Sequence, residues 1–201
     1  MKTLQVVITL CLVPVVGLLA WGWDWRQVMA FYWLGNVSAG ILAVIGMIHS
    51  RSVANVTFGD VRLSDIVPPR AFRVISIVFF VVHYGIFTAV HGVLLYEFLS
   101  GQLTPDVVDQ SGFQFGQVVL PWLVTTGLSV AIKLKRPTTS DSMESIRRAT
   151  YRRMIVLHLS IIFGAAFIIV LQLPTYAALL LVGLSFVAEL ISQPRVAKTI
   201  S

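Results

Sequence analysis

Residues 79–95 read FFVVHYGIFTAVHGVLL, which sets two histidines and a tyrosine inside an otherwise apolar run. The apolar character extends on both sides, from Ala71 to about Leu99. A helix of that length and hydropathy crosses a bilayer, with tilt or with one end projecting into water. Ionisable groups inside such a helix are rare and mark it as a candidate functional element.

The rest of the chain has the same character. Of its 201 residues 57% are hydrophobic and 12% charged, against roughly 45–50% apolar and about 25% charged in soluble domains. A soluble fold of this length cannot bury so much apolar surface, whereas a bilayer solvates it. Six apolar segments are expected as helices, at Leu4–Leu19, Val28–His49, Ala71–Leu99, Phe113–Leu134, Met154–Leu173 and Thr175–Ser192. The polar stretches between them, Ser50–Arg70 and Lys133–Arg153 among them, read as loops too short to be domains, so residues 1–201 form one transmembrane helical bundle. The first segment is expected to be a retained helix rather than a cleaved signal: Leu18-Leu19-Ala20 lacks a small residue at its first position, and Trp21, Trp23 and Trp25 follow as an interfacial belt.

Charge tests this division independently. With six crossings, fourteen of the fifteen Lys and Arg residues fall on one side and Arg26 alone on the other. Basic residues in short loops favour the cytoplasm, so the chain is expected in a bacterial-type inner membrane with both termini cytoplasmic. The net charge of +6 thereby reads as topology and as contact with anionic lipid headgroups at the basic loops, and nucleic acid is not an expected partner. Cys11 is the only cysteine, which excludes an intrachain disulfide and a thiolate metal site.

At ~100° per residue, Phe79, Val82, Ile86, Val90 and Val93 share one sector of the third segment, suited to lipid. Gly85, Thr88, Ala89 and Gly92 form a small-residue sector that wants a close helix neighbour, and His83, Tyr84, Phe80, Phe87 and His91 a third that wants a polar or aromatic interior. The third segment is therefore expected to be central. In the second, Gly35, Ala39, Ala43 and Gly46 form a close-packing side with Asn36 at its edge.

Counting ~1.5 Å per residue from Arg73 puts His83 about 15 Å deep and His91 about 12 Å further, while counting from Arg153 puts His158 about 7 Å in, level with Glu189. The candidate polar site is then His83, His91, His158, Glu189, Asn36 and Tyr84, with His158 and Glu189 as a pair. Neutral imidazole both donates and accepts, so these groups suit a proton-linked or transport component. A structural or assembly protein whose polar groups fix helix packing is the alternative from another class. A metal- or haem-dependent enzyme is the third, opposed by these depths: His83 and His158 differ by half a helix turn or more, and no second histidine matches His91. No nucleotide-binding glycine loop, zinc-protease motif or serine elbow is present, and no cofactor or catalytic residue is assigned.

Tyr32-Trp33-Leu34-Gly35-Asn36, the Phe80–Gly92 stretch with His83-Tyr84-Gly85 and His91-Gly92, and Leu157-His158-Leu159 give the chain a family likeness. It resembles a prokaryotic multi-pass membrane family catalogued as a domain of unknown function. The likeness covers nearly the whole chain. That family's pattern has an acidic residue before the asparagine, where this chain has Gly35. The resemblance implies the architecture and no activity.

Overall fold

The computed structural model describes residues 11–50, 57–58, 61–62, 68–101, 113–135 and 142–170, together with 179, 182 and 183. These residues are all-α apart from one short ribbon. In order they form α1 (Val13–Ala20), α2 (Trp25–His49), an antiparallel ribbon of β1 (Thr57–Phe58) and β2 (Val61–Arg62), α3 (Pro69–Leu99), α4 (Gly116–Lys135) and α5 (Met143–Val170).

The boundaries have local causes. Gly22 turns the chain between α1 and α2 at φ 67°, a conformation that favours glycine. Asp24 then caps α2 by accepting from the Arg26 amide at 2.7 Å, while the Gln27 side chain accepts from the Asp24 amide at 3.1 Å. Gly101, at φ 76°, follows the last turn of α3 and closes it with a 3.1 Å bond to the Phe98 carbonyl. At the far end of α2, Arg73 donates to the carbonyl oxygens of Ser50 at 2.9 Å and Ile48 at 3.3 Å, satisfying groups that the helix end leaves open.

Three helices are long and apolar enough to cross a membrane: α2, α3 and α4. The six expected from hydropathy are not reached among the described residues. Segment six, apart from residues 179, 182 and 183, and the start of segment one lie outside them, and segment five is the second half of a longer helix. The Lys133–Arg153 run is accordingly not one loop. From Met143 onward it is helix, carrying Arg147, Arg148, Arg152 and Arg153 in its first three turns.

The central helix is α2, not the third segment. It packs against α1, α3, α4 and α5, and 56% of its apolar window is buried against 17% for α3. Small residues make this possible, because Ala39, Gly40, Ala43 and Gly46 let neighbours approach on several sides. Trp122 of α4 donates from its indole to the Leu34 carbonyl at 2.9 Å and to Ser38 Oγ at 2.8 Å. Trp33 donates to the Thr88 carbonyl of α3 at 3.1 Å.

These contacts set helix directions and registers. Trp33 beside Thr88, and Arg73 beside Ile48, make α2 and α3 antiparallel. Trp122 beside Leu34, with Lys133 over Gly46, makes α4 parallel to α2. Tyr151 beside His83, and His158 beside His91, make α5 parallel to α3. Arg70, Arg73, Lys133, Lys135, Arg147 and Arg148 therefore lie toward one end of the bundle, with Arg152 and Arg153 further in along α5, and Arg26 sits at the other end, bonded to Asp24.

Candidate functional site

The structure brings together two histidines that residue counting separates. His91 on α3 and His158 on α5 stand with ring centroids 4.3 Å apart at an interplanar angle of 83°. Phe87 packs against both, at 4.0 Å from His91 and 5.1 Å from His158. The depth estimate fails because it treats Arg73 and Arg153 as level. Tyr151 touches Phe80, His83 and Tyr84, so Arg153 lies about 12 residues further along α3 than Arg73 does. Depth counted from a helix's charged end is only as good as the assumption that neighbouring charged ends coincide.

Both rings are held in the same tautomer. His91 Nδ1 lies 2.9 Å from the Phe87 carbonyl oxygen, and His158 Nδ1 lies 2.7 Å from that of Met154. A carbonyl only accepts, so each Nδ1 carries the hydrogen and each neutral ring keeps its lone pair on Nε2. His158 Nε2 is buried and has no hydrogen-bond partner. Each such bond is made within one helical turn, to the carbonyl four residues back.

Asn36 of α2 lies at the level of Tyr84, about two helical turns of α3 from His91. It is fully buried, and neither its Oδ1 nor its Nδ2 has a partner. Its backbone carbonyl accepts from Tyr84 Oη at 2.8 Å, and Thr88, one turn on, is buried with its hydroxyl unpartnered. The unmet polar atoms of Asn36, Thr88 and His158 thus follow one another along α3 over about two helical turns. Unpaired buried polar atoms are costly, and such groups are commonly met by ordered water.

The remaining candidates fall elsewhere. Tyr84 is buried between Phe80 and Tyr151, and its hydroxyl ties α3 to α2, which is a packing role. His83 is exposed, stacked on Phe79 at 5.6 Å, and faces the basic end rather than His158. Of the His/Tyr/Phe sector expected to turn inward, Phe80 and Tyr84 are buried and Phe87 and His91 half-buried, so His83 is the departure. The lipid sector, Phe79, Val82, Ile86, Val90 and Val93, is exposed throughout. In the small-residue sector Gly92 meets Trp33, whereas Gly85 has no neighbour within 4 Å. Glu189 lies outside the described residues.

Two chemistries can be tested on this geometry. Imidazoles on opposite faces of one haem iron have ring centres roughly 6 Å apart, given metal–nitrogen bonds of ~2.0 Å. The 4.3 Å spacing of His91 and His158 leaves no room for a porphyrin between them. Among the described residues no group of three or more His, Cys, Asp or Glu is placed to share a metal ion.

Tyr151 is the site residue that sequence reasoning missed, because it falls in a stretch read as loop. A helix signal was available. Ser142 precedes Glu144 in a first turn, and Glu144 reaches Arg147 and Arg148 at the i+3 and i+4 positions.

The chain belongs to a family of unknown function (DUF6498), whose model matches residues 2–199. Neither curated proteins nor solved structures yield a match.

Proposed function

We propose that this chain is a proton-linked membrane component whose working centre is the His91–His158 pair together with Asn36.

 The chain is read as a single domain of six transmembrane helices, both termini cytoplasmic, in a bacterial-type inner membrane. The observation that carries the reading is the ring contact of His91 and His158, with both Nδ1 atoms committed to backbone carbonyls. That arrangement leaves two Nε2 lone pairs as the proton acceptors of the layer. Water held by the open Asn36 amide would connect the pair to a proton donor.

The test uses the full-length protein in liposomes loaded with a pH-sensitive dye, under an imposed potassium diffusion potential. Wild type is expected to acidify the lumen faster than empty liposomes, and His158→Gln and His91→Gln are each expected to abolish the excess. No excess flux with wild type, or an unchanged rate in both variants, overturns the reading. The structural alternative draws support from Tyr84 and Trp122, whose hydrogen bonds join helices. Asn36→Leu separates the two. If the layer is dry packing, removing unpartnered polar atoms leaves stability equal or higher; if it is a hydrated proton site, the flux is lost.

A further inference from the structure

The helices packed on α2 leave one of its faces between them. Trp33 and Gly40 face α3, where Trp33 bonds the Thr88 carbonyl and Gly40 meets Tyr84. Leu34 and Ser38 face α4 through Trp122 and Thr126, and Ala43 shares a buried cluster with Met154 of α5. At ~100° per residue, Val28, Tyr32, Gly35 and Ala39 fall between the α4 and α5 faces. Among the described residues nothing lies within 4 Å of a Cβ placed at Gly35. This face of α2 is therefore the floor of a groove, with α4 and α5 as its walls.

The chain itself supplies an occupant. It leaves α5 at Val170 and is back at Val182, which is buried in one cluster with Val28 and Met29 of α2, Val118 of α4 and Ile161 of α5. Val182 thereby ties the apolar stretch 175–192 to all three helices at the Arg26 end. Leu179 and Gly183 are exposed, so the inward side of this stretch is the one that carries Val182. Seven positions on, Glu189 returns to within ~20° of Val182. It is the only Asp, Glu, Lys or Arg between Arg153 and Arg195.

Register then sets its level. The stretch runs back along α5, so two turns past Val182 lie level with two turns before Ile161, at Met154. Arg153 adjoins Met154 on the flank of α5 turned away from Tyr151 and His158, which face α3. Helix α2 gives the same level by a separate route. Seven positions beyond Met29 is Asn36, which lies level with Tyr84 and, through it, with Tyr151. Arg153 stands well inside the apolar span, where charged side chains pair with one another.

We propose that residues 175–192 form a helix seated in the groove between α4 and α5, antiparallel to α5, with the Glu189 carboxylate paired with the Arg153 guanidinium. Glu189 then serves the flank of α5 opposite His158 and is not part of the histidine pair. The placement rests on the membrane-crossing reading of this stretch and not on the proton-linked one.

The test uses the full-length protein in membranes, with Cys11→Ser and one pair of introduced cysteines, treated with a short bis-methanethiosulfonate and analysed for cross-linked peptides by mass spectrometry. Arg153→Cys with Glu189→Cys is expected to cross-link. Arg153→Cys with Val187→Cys, ~140° round the helix from Val182, is expected not to. Equal yields from the two pairs, or a higher yield from His158→Cys with Glu189→Cys, would overturn the placement. A second measurement keeps both side chains charged. Glu189→Gln is expected to lower the unfolding midpoint by leaving a charge uncompensated, and the exchanged pair Arg153→Glu with Glu189→Arg to restore most of the loss. An exchanged pair no more stable than Glu189→Gln speaks against the ion pair and overturns it. Proton flux is a separate readout, so a wild type that carries no protons yet cross-links as expected sinks the proton-linked reading alone. A reporter at the C-terminus that reads external would instead overturn the crossing, and the placement with it.

Discussion

Helices α2 and α3 are equally apolar and differently placed. Their most apolar windows have mean hydropathies of 1.8 and 2.0, yet 56% of the first is buried and 17% of the second. Lipid solvates apolar side chains as well as a protein core does, so hydropathy does not distinguish a central helix from a peripheral one. Side-chain size and polar partners make the difference. On α2, Ala39, Gly40, Ala43 and Gly46 admit neighbours, and the carbonyls of Leu34 and Asn36 receive bonds from Trp122 and Tyr84. On α3, large aliphatic residues from Val74 to Leu94 stay exposed along the helix.

The comparison can be broken most sharply at glycine. A Cβ at Gly40 would meet Tyr84 Cε1 at 2.8 Å, whereas one at Gly85 would meet nothing within 4 Å. Gly40→Leu is expected to lower stability by about 1–3 kcal/mol through overpacking, and Gly85→Ala to stay within about 0.5 kcal/mol. Thermal unfolding in detergent measures both, and equal effects would show that α2 is not the central helix.

Trp122→Phe tests the polar tie from α4. It removes the donor to Leu34 O and Ser38 Oγ and is expected to cost about 1 kcal/mol, at the level of interhelical hydrogen bonds. Tyr84→Phe keeps the ring between Phe80 and Tyr151 and removes one bond, so about 0.6 kcal/mol is expected. The smallest effect belongs to the exposed stripe of α3. Ile86→Val in detergent should change the unfolding midpoint by no more than the equivalent of about 0.5 kcal/mol; a larger loss would reveal a protein neighbour on that face.

Sequence legibility follows the same division. The lipid sector of α3 was readable because exposure to lipid depends only on helical periodicity and residue type. The packing partner of Gly92 was not, since a small residue announces that something approaches without saying that it is Trp33. The two-histidine layer was missed for a reason of register. His91 and His158 lie 67 positions apart, and a shift of two helical turns between α3 and α5 decides whether His158 meets His91 or His83. Nothing local specifies that shift. It is set where Tyr151 packs among Phe80, His83 and Tyr84.

The sequence by itself determined the helical class, the apolar stretches of α2, α3 and α4, and the stripe of α3 that remains exposed. All of these depend on composition or on neighbours within four residues. Only the tertiary structure decided that α2 is central, that His91 and His158 touch, and that His83 sits instead beside the arginines of α5. Those outcomes depend on how far one helix slides along another, which side-chain packing sets and hydropathy leaves free.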